Sequence, residues 1–178
     1  MSPTLFQRLL GAEFYHLAPE VKALHAHAGH GRWRGVCRIE RGGHPLARLA
    51  CFFARLPPAM SEAPLSVEIV REGPHETWYR HFDGVPMRSR LRYDAGHLRE
   101  QLGAMTFRFR LYRIDHALHW STEGGRLFGW IPLPASWFED VRCREFSEDG
   151  RYRFEVDARL PLLGRLIRYE GWLLPDEY

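Results

Sequence analysis

Three histidines, His25, His27 and His30, stand in the spacing H-x-H-x2-H, with His16 nearby in the chain. Imidazole nitrogens at such intervals could hold zinc or a similar ion. No carboxylate or cysteine joins them locally, and they fall where a helix frays into a glycine-rich turn. The expectation is therefore solvent-exposed loop histidines and no metal, and His116 and His119, beside a hairpin turn, carry the same expectation. The run Gly29-His30-Gly31-Arg32-Trp33-Arg34-Gly35 has some of the look of a phosphate-cradling loop. Its third glycine comes one residue too late and a strand follows it, so no helix N-terminus turns free N–H groups toward a phosphate. Nucleophile-elbow, zinc-protease and P-loop motifs are absent.

The segment His75–Phe82 holds a different set. Alternation puts Trp78, Arg80 and Phe82 on one face of a strand, a guanidinium among rings. Such an arginine could hold a carboxylate or phosphate head group, or stack on Trp78 or Phe82. Glu76 with His81 could in principle work as an acid/base pair, whereas His75 and Glu76 are adjacent and point apart. Six tryptophans, 11 phenylalanines and 7 tyrosines run through the chain. Rings of that size either fill a wide β core or wall a lipocalin-like cavity for a small apolar molecule. The candidate ligand-binding residues are Trp78, Phe82, Phe107, Phe109, Trp120, Trp130 and Phe154 as walls, with Arg80 as the polar anchor. No catalytic set and no cofactor are expected.

These residues have to be positioned by strands. Met105-Thr106-Phe107-Arg108-Phe109-Arg110-Leu111, Val85 to Tyr93 and Arg151 to Asp157 all alternate apolar residues with arginines, the period of an antiparallel sheet with one buried face. Asp83-Gly84 and Asp149-Gly150 are strong type I′ hairpin signals. Thr4–Leu10 and Pro19–His25 read as short helices, and Arg32–Arg41 as the first strand. A helix follows over residues 45–56, with Leu46, Leu49, Ala50 and Phe53 at helical spacing and Pro57-Pro58 to end it. Phe128 to Phe138 reads as an irregular lid or a short helix after Pro134. The fold class is α+β, dominated by a curved antiparallel meander or barrel of about nine strands. The chain is read as one domain, residues 1–178, with a helical segment over 1–30 and the meander over 31–178.

Composition narrows the rest. Of 25 basic residues only Lys22 is a lysine, but 22 acidic residues leave a net charge of only +3. Cross-strand ion pairing on a solvated face accounts for the arginines, and nucleic-acid binding is not expected. Cys37, Cys51 and Cys143 are odd in number and widely spaced, which fits free thiols and a cytoplasmic location. No signal peptide is read at the N-terminus, and the most apolar run, Leu46 to Leu56, is too short and too charged to span a bilayer.

Six segments in order carry a resemblance: LGAEFYHLAPEVKALH, RIERGGHPLARLA with LPP after it, ETWYRHFDGVPMRSRL, LGAMTFRFRL, GRLFGWIPLP and EDGRYRFEVDARLPLLGRLIRYEGWL. Over Leu10 to Leu174 the chain resembles a bacterial domain family of unknown function. That family occurs alone or fused C-terminal to saccharopine-dehydrogenase-like NAD(P)-binding proteins. The resemblance implies a self-contained module that can work beside a reductase, here a separate partner chain, and it supplies no catalytic residues. The expected function is non-catalytic binding of an apolar or amphipathic small molecule. Two alternatives stay open. One is docking onto a reductase through helix 45–56 and the aromatic lid; the other is an enzyme acting in the cavity through Arg80, His81 or Glu76.

Overall fold

The alternating segments are strands of one sheet that closes on itself. The structure, a computed structural model, describes residues 3–27 and 29–176. Two helices, α1 (Leu5–Leu10) and α2 (Pro19–Ala26), are joined by a 3-10 turn and lead into β1 (His30–Arg41). Helix α3 (Pro45–Phe53) separates β1 from β2 (Met60–Glu72). Then come β3 (His75–Phe82), β4 (Val85–Asp94), β5 (His97–Leu102), β6 (Met105–Ile114), β7 (Ala117–Leu127) and β8 (Ile131–Leu133). After a 3-10 helix, Ala135–Phe138, the chain ends in β9 (Val141–Glu148), β10 (Arg151–Leu160) and β11 (Gly164–Pro175). Ten strands form the barrel in the order β6-β5-β4-β3-β2-β1-β11-β10-β9-β7. Pairing of β6 with β7 closes it, and β8 lies outside on β7.

The ten-stranded barrel with β8 outside it bears out the β-dominated reading, and the expected count of about nine strands was low by two. One missed element, β5, follows Ala95-Gly96, whose φ values of 48° and 85° make a tight turn without the usual Asp or Asn. The other, β8, lies inside the segment read as a lid, and a 3-10 helix does follow Pro134. Asp83-Gly84 (φ 48° and 82°) and Asp149-Gly150 (φ 53° and 69°) turn as their sequence signals. Helix α3 stops at Phe53 rather than Leu56, before either proline acts. Arg55 takes φ 52°, with Arg55 N bonding Phe52 O and Leu56 N bonding Cys51 O, a Schellman closure.

The N-terminal helices plug one end of the barrel. A capping box between Thr4 and Gln7 starts α1, and Phe6, Val21 and Leu24 are fully buried. Phe6 reaches inward until its ring lies 5.7 Å from that of Trp120 and 6.3 Å from that of Trp78. At the other end α3 lies across the opening. Its small residues Ala47 and Cys51 are buried, with Cys51 Sγ directed at Leu166 O on β11, while Leu46, Leu49 and Phe52 remain exposed. Gly103, in the β5–β6 turn, has φ +57°, and a Cβ there would sit 2.4 Å from Phe53 O. Only glycine lets that turn run beneath α3 and bond it, Ala104 N to Phe53 O at 2.9 Å. Outside, arginines pair with acids across neighbouring strands, as Arg165 with Glu40 at 2.9 Å and Arg153 with Glu148 at 2.5 Å. No helix among the described residues is long and apolar enough to cross a membrane.

Candidate functional site

Ten strands make a tube wider than its own side chains fill, since about eight are what side chains alone can pack. The space left is a cavity of about 430 Å³ beneath α3, walled by inward residues of nearly every strand. Of the residues expected from sequence, Trp78, Arg80, Phe82, Phe107, Phe109, Trp120 and Phe154 line it. Phe107, Phe109 and Trp120 form a continuous wall, with centroids 6.0 and 5.4 Å apart. Trp130 does not line it. It is 73% exposed on the β7–β8 turn, and Trp137 and Phe138 of the following 3-10 helix occupy the mouth instead.

Arg80 takes the stacked position expected of it and also faces the cavity. Its guanidinium stacks over Trp78, 4.7 Å from the ring centroid, while facing the cavity. Nη1 donates to Ser89 Oγ at 2.9 Å and lies 3.9 Å from Glu100 Oε1. Glu76 is on the same strand face but is already satisfied, accepting from Arg71 Nε at 2.9 Å and Trp78 Nε1 at 3.1 Å. His81 points outward and is exposed. The trio Arg80, His81 and Glu76 is therefore not brought together at one reacting point.

The histidine cluster also resolves differently from expectation. His25 is not an exposed loop residue; it is fully buried, with Nε2 donating to Glu145 Oε2 at 2.5 Å, 120 positions away. Helical phase explains the burial: His25 is in step with Val21 and Leu24, on the face that enters the barrel. His27 bonds the carbonyl of His30, and His30 bonds Glu68. His116 is exposed as expected, whereas His119, half-buried, stacks on Tyr112, and burial lowers its pKa, with Arg144 adding to the effect. Among the described residues no group of three or more His, Cys, Asp or Glu side chains could hold a metal ion.

Sequence reasoning missed much of the cavity's polar belt: Glu100, Thr122, Cys143, Glu145, Tyr152 and Tyr169. Glu100 keeps step with Leu98 and Leu102, and Glu145 with Cys143, so strand parity was the signal available. Burial pushes the Cys143 thiol well up, and the charges of Glu145 and Glu100 push it further, against Arg80. Tyr152, hydrogen-bonded to Glu145, is raised for the same leading reason, burial, with Glu145 again adding to it. The three cysteines are free thiols.

Fold and interior together define the class: a closed ten-stranded antiparallel barrel, plugged at one end by helices and hollow beneath the other. Residues 17–173 match the family described as a domain of unknown function, DUF4166, and the chain belongs to that family. No curated protein matches it. Among solved structures it is similar to the crystal structure of Rv2717c from M. tuberculosis, at 14% sequence identity and a TM-score of 0.50. The match covers 90% of this chain and 99% of that one. Likeness at that identity is a likeness of fold.

Proposed function

We propose that this protein binds an apolar or amphipathic small molecule inside the barrel, without chemistry of its own on it. One observation carries the reading: an apolar-walled space of about 430 Å³ with a buried charged pair, Arg80 and Glu100, at its wall. That volume lies in the range of ligand pockets, about 300–1,000 Å³. Trp78, Arg80, Phe82, Phe107, Phe109, Trp120 and Phe154 are the contacts assigned, with Trp137 in place of Trp130 at the mouth. The test is native mass spectrometry of the purified protein, organic extraction, and titration of the stripped protein with the neutral dye Nile red. A single saturable site whose occupancy shields Cys143 from N-ethylmaleimide supports the reading. Non-saturable dye uptake that leaves Cys143 labelling unchanged refutes it.

A second reading has its own observation. Leu46, Leu49, Phe52, Phe128, Trp130 and Trp137 are all exposed around the α3 end, and Phe53 joins Phe128 edge-on at 5.8 Å. An apolar surface of this kind marks a partner site, and a saccharopine-dehydrogenase-like reductase is the partner proposed. Co-purification of such a reductase with wild-type protein but not with Phe52→Ser/Trp130→Ser supports docking, and equal recovery with both refutes it.

A further inference from the structure

Resting on the binding reading above, we infer that the cavity selects an uncharged ligand head that both donates and accepts hydrogen bonds, a hydroxyl or a primary amide, and rejects a carboxylate. The arginine alone suggests the opposite, an anion clamp. Its surroundings decide otherwise. Glu100 lies 3.9 Å from Arg80 Nη1, and the two side chains are only 11% and 13% exposed. The positive charge is therefore already offset inside the protein, and an incoming carboxylate at Arg80 would face Glu100 across the same space. Glu145 adds a second acid to the belt.

The hydrogen-bonding groups left over are mixed in kind. Arg80 uses Nη1 on Ser89, and among the described residues Glu100 accepts no hydrogen bond. Trp120 Nε1 and Thr122 Oγ1 are buried without a partner, in the wall of the same cavity. Buried polar atoms ordinarily find partners. A hydroxyl or amide head can give its hydrogen to Glu100 and take one from Arg80 or Trp120; a carboxylate can only accept. Cys143, Tyr152 and Tyr169 also line this space, and burial above all raises the pKa of each. At Cys143 and Tyr152 the carboxylates outweigh Arg80, and at Tyr169 burial outweighs its pull.

The volume of about 430 Å³ lies in the range of small-ligand pockets, about 300–1,000 Å³, so ten-carbon amphiphiles are the probes. The experiment titrates wild-type protein with decan-1-ol, decanamide and decanoate at neutral pH, following tryptophan emission and heat of binding. The alcohol and the amide are expected to saturate one site, with decanoate weaker by about tenfold or more. In Glu100→Gln decanoate gains about tenfold while the alcohol changes less than about threefold. Decanoate binding as tightly as decanol to wild-type protein overturns the inference and leaves cavity binding standing. Failure of all three to bind overturns both. If Glu100→Gln does not fold, the wild-type series decides alone.

Discussion

The buried His25–Glu145 bond ties the helical plug to the barrel wall, and breaking it from either side gives unequal costs. Both side chains are shut from solvent, at 0% and 4% exposure, and Nε2 is 2.5 Å from Oε2. His25→Leu leaves a carboxylate in the apolar interior with Tyr152 as its remaining protein partner, which should cost about 3–5 kcal/mol. Glu145→Leu strands an imidazole whose Nδ1 already lacks a partner, a loss of about 1–3 kcal/mol. The double variant His25→Leu/Glu145→Leu leaves neither group unpaired, so it should lose less than the sum of the singles by about 1–3 kcal/mol. Against a net stability of about 5–15 kcal/mol, these are large fractions. Urea unfolding followed by tryptophan emission reads all three, because Trp78 and Trp120 pack against Phe6 of the plug. The urea m-value should stay at the wild-type figure, since plug and barrel share one core. A His25→Leu loss below about 1 kcal/mol, or a double variant equal to the sum of the singles, would refute the reasoning.

Alkali should weaken the fold in a defined window. Burial raises Cys37 to about 11, so the folded state keeps a proton that the unfolded chain releases near pH ~8.5. That contribution is complete below pH ~8.5 and is lost as pH rises toward the folded value, at up to about 1.4 kcal/mol per pH unit. Denaturation midpoints across that range check it, with Cys37→Ala expected to flatten the slope. Cys143 should alkylate far more slowly than an ordinary thiol in native protein, and Glu100→Gln should speed the reaction by removing a charge that opposes the thiolate; timed iodoacetamide labelling with peptide mapping decides. Gly103→Ala should cost about 1–3 kcal/mol, since φ +57° and a Cβ 2.4 Å from Phe53 O are both unfavourable to alanine; a urea titration measures it. Phe52→Ser should leave stability within about 0.5 kcal/mol, because the ring is 74% exposed, and a larger loss in the same titration would show that something covers it.

The strands were legible because polar residues, many of them arginine, alternate with apolar or aromatic ones in Met105–Leu111 and Arg151–Asp157, and the Asp-Gly pairs fixed where they turn. The cavity wall was legible for the same reason: once Trp78 faces inward, Arg80 and Phe82 must follow. What stayed hidden is what alternation treats as noise. Glu145 points inward, whereas strand acids were read as ion-paired on a solvated face, and Glu100 lies in a strand that went unseen. Ala95-Gly96 lacks the side chain that announces a hairpin, so β5 went unseen. His25 was misplaced because its partner is 120 residues distant, and a helix end looks frayed until the wall that covers it is known. Trp130 and Trp137 sit seven residues apart in one aromatic run, and only the position of β8 outside the barrel decides which of them reaches the mouth.

Those hidden groups are also where the barrel departs from a plain packed core, and the departure has a physical logic. By the cost of engineered voids, about 24 cal/mol per Å³, a dry cavity of 430 Å³ would be worth about 10 kcal/mol, comparable to the whole net stability of a domain. The fold does not fill the space from either end. The plug stops at Phe6 and His25 against Trp78 and Trp120, and α3 buries small Ala47 and Cys51 while laying Leu46 and Leu49 along the rim. A polar belt of Arg80, Glu100 and Thr122 lines what would otherwise be a wholly apolar void. On the binding reading proposed above, an amphiphile with one neutral head fills that void and pairs with the belt. Ligand stabilisation is then the measure of the arrangement: at a hundredfold excess over Kd, a molecule bound to the folded state alone adds about 2.7 kcal/mol. Decanol should raise the unfolding midpoint accordingly, and decanoate at the same concentration should fall short of it.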